Sequence, residues 1–540
     1  MAGTKEFGIT GALKNVSEDT TPQLGGDLDT NAHQIRWSKG SDVASAGALE
    51  LGTDGNYFDI TGSTAITSIK TLAIGTVVIL HFDDELVLTH HATDLILPGS
   101  KDITTATGDE AIFVEYATGD WRCVSYSPAV GYERSTSAYG VYWDEGDPSP
   151  TLTRTGNLAG TVGGTSPGNA NLPIQALMRR CILNDSGEVV YYLGATDSTK
   201  KEDMETASNL DGTDGQVMVE IPKFWYKYEY ASNVHSWSIS DVYLSGYELH
   251  PAFYKDGAWV DYRYIGAYEG VGYDNGTTAY FDGDDVSDTK TQWPGGTAID
   301  TANDKLGSVS GFAPLMNETR AEFRAIALNR GTGWRQQDFY LVSAIQLLYL
   351  VEYASWNSQS VIGMGRTELT GGTWAKDSYI GVTGKSNSAG NVTTNVGGNT
   401  NNAYMSYRGI ENFYGNVWKW VDGFNINNNI PYVSNIESDF ADDTTTDYYR
   451  LEDTGESGIT LPSSNDYQKT LEQIKDGFLP SAGGGSSATY ITDYYYQDSG
   501  WRVAKLGGAA DSGLLAGVAD WYLNSSSAVG NVHVGGRLCF

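Results

Sequence analysis

The sequence predicts a multidomain protein, with a small all-β module first and a larger α+β domain after a polar joint. Three observations predict it. The chain has 540 residues, where an ordinary domain takes roughly 100–200. Strand-like runs follow one another from about Ala48 to about Tyr126 with no helical period between them. Helical patterns stand out only near residues 317–357, inside a region otherwise made of aromatic, glycine-punctuated runs.

Residues 1 to about 45 read as an extended N-terminal segment. Thr21-Pro22-Gln23-Leu24-Gly25-Gly26-Asp27 has turn chemistry and no period. The module of residues 46–135 contains YFDITGSTAITSI, GTVVILHF, ELVLTHHATDLILPGS and EAIFVEYATGDWRCVSY, rich in β-branched residues and bounded by glycine. The low-hydrophobicity stretch 127–140 (SPAVGYERSTSAYG) marks the joint. In the domain of residues 136–540, PIQALMRRCILN predicts a turn or short helix and then a strand, and VMVEIPKFWYKYEY one long strand. NETRAEFRAIALNRG predicts a helix capped by Asn317 and closed by Gly331. QDFYLVSAIQLLYLVEYASWN is long and apolar enough for a buried helix. Trp418 and Trp420 lie at i, i+2 in GNVWKWVDGF, so a strand there turns both to one face.

Composition narrows the function. Lys+Arg 34 against Asp+Glu 67 gives a net charge of -33, which repels nucleic acid. No apolar run is long enough for a membrane span, and MAGTKEFGIT lacks the apolar core of a signal peptide. Cys123, Cys181 and Cys539 show no zinc spacing, and no phosphate-binding or dinucleotide fingerprint is present. The acidic stretch Asp282, Asp284, Asp285 and Asp288 lacks EF-hand spacing and reads as a solvated loop, as do Asp83-Asp84 and Asp442-Asp443. His90 and His91 are adjacent, so a strand turns them to opposite faces. No cofactor, metal or catalytic residue is expected.

Two segments carry a resemblance. GNVWKWVDGF resembles a segment of the formylglycine-generating-enzyme branch of the C-type lectin fold. The stretch from Gly500 to Phe540 resembles the variable region of target proteins of diversity-generating retroelements, among them phage tail-fibre receptor-binding proteins. The matched skeleton is Gly500-Trp501-Arg502, Gly507-Gly508, Ala516-Gly517, Trp521, Leu523 and Gly535-Gly536-Arg537-Leu538. TPQLGGDLDTNAHQI, IPKFWYKY, HPAF and YIGAYEG are similar to tail-fibre segments. The resemblance implies an α+β C-type lectin-like domain over 136–540, with a variable region over 500–540. Its scaffold is Trp418, Trp420, Trp501, Gly507, Gly508, Trp521, Gly535, Gly536 and Arg537. Between these lie the expected ligand-binding, outward-facing positions: Ala510, Asp511, Leu514, Ala519, Asp520, Tyr522, Asn524, Ser525, Ser526, Val529, Asn531, Val532 and His533. Their small, polar and aromatic mixture is that of an antibody contact surface.

The implied function is adhesion: a homotrimeric virion tail-fibre protein that grips a host-cell surface receptor, protein or glycan. Its N-terminal segment, residues 1–45, is the attachment segment that joins other tail proteins, and avidity comes from several copies. Formylglycine-generating chemistry needs two close cysteines and copper, and Cys181 and Cys539 do not match that pattern. A polysaccharide depolymerase and a purely structural fibre protein are the alternatives.

Overall fold

The computed structural model describes residues 37–98, 102–127, 138–284 and 290–540. The chain is mostly β with few helices and is divided among several sheets. It packs as two units, Met1–Arg134 and Ser135–Phe540. Most of the expected attachment segment, residues 1–36, and most of the joint, residues 128–137, lie outside the described residues, as do Asp285 and Asp288 of the acidic stretch.

The first unit is built on a six-stranded sheet. Tyr57–Thr61 runs parallel to Val77–Phe82, which pairs antiparallel with Glu110–Ala117, and that strand turns at Gly119 into Asp120–Ser127. Alternation along YFDIT and VVILHF sends Phe58, Ile60, Val78, Leu80 and Phe82 into one core with Phe113 and Trp121. Val43–Ala44 pairs parallel with Ile60–Thr61, so the described end of the expected attachment segment belongs to this sheet. His90 Nδ1 accepts from the backbone N–H of Leu97, and His91 Nδ1 from that of Asp94, which are turn contacts.

In the second unit, VMVEIPKFWYKYEY forms two strands rather than one. Gln216–Pro222 pairs with Tyr262–Gly266, and Trp225–Ala231 pairs with Val234–Ser240 in another sheet. Pro222 has no N–H to continue a ladder, and Phe224 turns into the core between the two strands. A third, larger sheet orders its main strands as Trp418–Asn427, Trp501–Leu506, Trp521–Ser525, Tyr494–Gln497 and Asp466–Leu471. The last residues, Leu538–Cys539, leave it to pair with Ile265 and with Arg335–Gln336.

Helix α1 spans Arg320–Leu328 and is capped by Thr319, not Asn317. Thr319 accepts from Glu322 N while the Glu322 carboxylate accepts from Thr319 N, a reciprocal capping box. Asn317 instead holds a left-handed φ of 61°. Helix α2, Phe339–Tyr353, is buried throughout, with Asp338 as its cap. A buried ion network ties α1 to the Trp418–Asn427 strand. Arg324 donates twice to Asp422 (2.7 and 2.8 Å), and Arg320 donates to Asp442 and to the carbonyls of Val421 and Phe424.

Candidate functional site

The third sheet has two different faces. Tyr495, Trp521, Leu523, Ala504 and Val421 point into the main core with α2. Trp418, Trp420, Val503 and Tyr522 point the other way, where α1 covers Trp420 with Phe323 and Ile326. Both tryptophans of GNVWKWVDGF therefore share one face, and Trp420 Nε1 donates to the Glu318 carbonyl.

Beyond α1 this second face is open and aromatic. Ring centroids step from Tyr467 to Tyr494 (5.1 Å), to Tyr496 (4.7 Å), to Tyr522 (4.3 Å) and to Trp418 (4.9 Å). The register explains the row: Tyr467 opposes Tyr494, Tyr496 opposes Tyr522, and Tyr522 opposes Lys505 on successive strands. The four tyrosines are half-buried. The hydroxyls of Tyr494, Tyr496 and Tyr522 make no hydrogen bond among the described residues. Trp374 flanks the row, 5.2 Å from the His533 ring.

Under the row lies unusual charge chemistry. Lys505 is 4% exposed, and its Nζ sits 4.1 Å from the Tyr522 centroid and 5.7 Å from that of Trp418. It forms no hydrogen bond or ion pair among the described residues. Burial pushes its pKa down to about 7, against a partly offsetting Asp520. Asp520 is wholly buried, and neither carboxylate oxygen has a hydrogen-bond partner among the described residues. Burial, then the nearby Asp493, holds its carboxyl well above the usual range. Burial likewise raises Asp493 to about 8. His533 is lowered to about 4 by burial and then by Lys505.

The expected outward positions divide. Asp511, Leu514 and Val529 are exposed, and Tyr522, Asn524, Ser526, Asn531, Val532 and His533 are half-buried at the surface. Ala510, Ala519, Asp520 and Ser525 face inward, which corrects the expectation for these four. Ala510 is held by a hydrogen bond from its N–H to the Asn416 carbonyl. The N–H of Ala519 donates to Asp493 Oδ2 and its carbonyl accepts from Gln468 Nε2. Ser525 opposes Val503 across the ladder. Tyr522 and His533 meet around Lys505, whereas the Asp511–Leu514 turn is tied to Thr367 and Gln359 instead.

The expected scaffold residues are buried, except for the half-buried Trp501. Trp521 Nε1 donates to the Phe478 carbonyl. Arg537 donates to the carbonyls of Gly266, Glu411 and Asn412. Gly507 and Gly508 take φ of 90° and 77°, and a Cβ on Gly507 would stand 2.8 Å from the Phe413 carbonyl oxygen. Sequence reasoning missed Tyr467, Tyr494, Tyr496, Lys505 and Trp374. A signal for two of them exists: in Tyr494-Tyr495-Tyr496 a strand's period of two puts the outer pair on one face.

Of the acidic stretch, Asp282 accepts from Lys376 Nζ and Ala313 N, and Asp284 from Lys376 N. Among the described residues no group of three His, Cys, Asp or Glu side chains is arranged to hold a metal ion. The three cysteines are free thiols, with Cys181 and Cys539 buried. No helix among the described residues is long and apolar enough to cross a membrane. No protein-family model matches the chain, and no curated protein matches it.

Proposed function

We propose that this chain is a receptor-binding protein, an adhesin of a phage tail fibre. Its second unit would be a C-type lectin-like domain that presents the C-terminal face to a host-cell surface receptor. The observation that carries this reading is the open aromatic face crossing the third sheet, with Tyr522, Asn524 and His533 of the resembling segment at the surface. Half-buried rings on fixed strands lose little conformational freedom when they bind, the economy that favours tyrosine in contact surfaces. The glycine and arginine positions around them are backbone-determining, so surface side chains can change while the frame stays. The function is binding rather than catalysis. The first unit would join the other tail proteins, and a homotrimer would supply avidity at the virion.

Deleting residues 500–540 does not test this, because it removes Trp521 and Leu523 from the core. The cleaner test replaces Asn524, Ser526, Val529 and Asn531 together. Labelled protein is then scored for retention on a panel of bacterial envelopes. A changed panel with an unchanged melting curve is the expected result. An unchanged panel would move the contact surface elsewhere.

A further inference from the structure

We propose that the aromatic row Tyr467–Tyr494–Tyr496–Tyr522, which ends against the buried Trp418, is the binding track for a linear, uncharged glycan, with Lys505 as its polar anchor. This rests on the adhesin reading and names its ligand class.

The shape of the row comes first. It is one ring wide and several rings long, with centroid steps of 4.3–5.1 Å. A protein partner of ordinary affinity covers a broad patch of roughly 800 Å² on each side. An extended peptide is normally taken up at a sheet edge, through free backbone N–H and C=O groups. Here the rings stand on the sheet face and cross five neighbouring strands, whose backbone groups face one another in the ladders. A ligand on this face must bind through rings and side-chain polar groups. The apolar C–H surface of a pyranose suits the exposed apolar edge of the ring row, and its hydroxyls suit the phenols of Tyr494, Tyr496 and Tyr522, which have no hydrogen bond among the described residues.

The polar chemistry points the same way. Lys505 forms no hydrogen bond among the described residues, and Nζ is not one of the fully enclosed polar atoms left without a partner. It therefore meets solvent beside the Tyr522 ring, as a donor in need of an acceptor. A sugar hydroxyl or ring oxygen supplies one.

Charge sets the ligand's class. A net charge of -33 repels acidic polysaccharides over distance. At close range a lysine ammonium enclosed by rings repels an amino sugar. Uncharged hexose or N-acetylhexosamine chains escape both penalties.

The test immobilises uncharged oligosaccharides (glucans, galactans, mannans, N-acetylhexosamine oligomers) beside sialylated and sulfated ones and applies the full-length protein. We expect retention on one or more uncharged chains and none on the acidic ones. Against the best of them, Tyr496→Ala should weaken Kd about tenfold, equivalent to about 1.4 kcal/mol. Tyr496→Phe, which keeps the ring and loses only the phenol, should weaken it less than Tyr496→Ala, and Lys505→Met should weaken it while the protein melts cooperatively at or above the wild-type temperature. Tyr494→Ala serves as a second probe of the row if Tyr496→Ala fails to fold. No retention on any uncharged chain, or an affinity unmoved by Tyr494→Ala and Tyr496→Ala in folded protein, overturns the proposal. A parallel arm uses bacterial envelopes treated with periodate or protease. Retention that survives periodate and is lost to protease overturns the glycan while leaving the adhesin standing. Oligosaccharide binding without retention on any envelope does the reverse.

Discussion

Replacing Lys505 by methionine should stabilise this protein, and by an amount that depends on pH. Methionine keeps the apolar stem among Tyr522, Trp418 and Trp420 and removes an amine that has no protein acceptor among the described residues. Lysine in an unfolded chain titrates near about 10.4. In the fold, burial brings Lys505 down to about 7. Between those values the unfolded chain binds the proton more tightly, so wild-type stability rises with pH across that window. At about 1.36 kcal/mol for each pKa unit, the charged form costs the fold on the order of 4–5 kcal/mol below pH 7. At pH 9 the same arithmetic leaves about 2 kcal/mol. At pH 6, where the folded lysine is charged, the lost cation–π contacts offset roughly 1–2 kcal/mol of that cost. K505M should therefore gain about 2–4 kcal/mol at pH 6 and about 2 kcal/mol at pH 9, where the folded lysine is neutral and no cation–π contact is lost. Urea unfolding of wild type and variant at both pH values reads the difference directly. A variant that loses more than about 1 kcal/mol at pH 6 would refute the reasoning, because it would mean that Lys505 and Asp520 act as a mutually satisfied buried pair.

Three further outcomes are expected. Asp422→Ala strips Arg324 of its bidentate partner and should cost about 3 kcal/mol, the lower end for breaking a buried pair because Arg324 keeps Asp442. In a unit of about 400 residues that is a calorimetric shift of about 3–4 °C, and no shift would show the network to be idle. His250 is wholly buried against Phe224 and Tyr226, and burial lowers it to about 3, so the unfolded chain gains the proton first as pH falls below about 6.5. Stability should fall with pH through that window, and His250→Asn, which keeps an acceptor for Ala252 N, should flatten the slope; parallel slopes would count against it. Gly507→Ala must hold φ near 90° while its Cβ presses on the Phe413 carbonyl, so a loss of about 2 kcal/mol or more is expected in urea unfolding, and a neutral result would show that the turn has relaxed.

What the sequence made legible was what local period and propensity decide. The strongly apolar run 339–353, with only Ser343, Gln346 and Glu352 as polar interruptions, read as a buried helix, and the i, i+2 spacing of Trp418 and Trp420 fixed their common face. Alternation in YFDIT and VVILHF marked their inward side chains. What it hid was decided by pairing between distant segments. Ser525 is paired with Val503 across the ladder, and Ala519 is held by Gln468 of a neighbouring strand and by Asp493, just before another. Nothing local to either residue records those partners. The aromatic row was hidden for the same reason: Tyr467, Tyr496 and Tyr522 are far apart in sequence and adjacent only through register. The cap of α1 is a different failure. Asn317 and Thr319 are both good caps, and only Thr319 has a Glu three residues on.

The inward turn of Asp520 bears on function more than an exposed carboxylate would. Two ionisable groups, Lys505 and Asp520, lie under the Tyr496–Tyr522 step with no hydrogen bond to spend on each other. A fold selected for stability alone would have replaced either by an apolar side chain, since burying an ionisable group without a protein hydrogen-bond partner costs stability whether it stays charged or is held neutral. Local disagreement with packing rules is expected where a site serves a ligand. The same substitution then has opposite signs in two measurements. K505M should raise the free energy of unfolding and weaken retention on uncharged oligosaccharides. A lysine kept only by structural accident would give the first effect without the second, and a lysine paired with Asp520 would give neither.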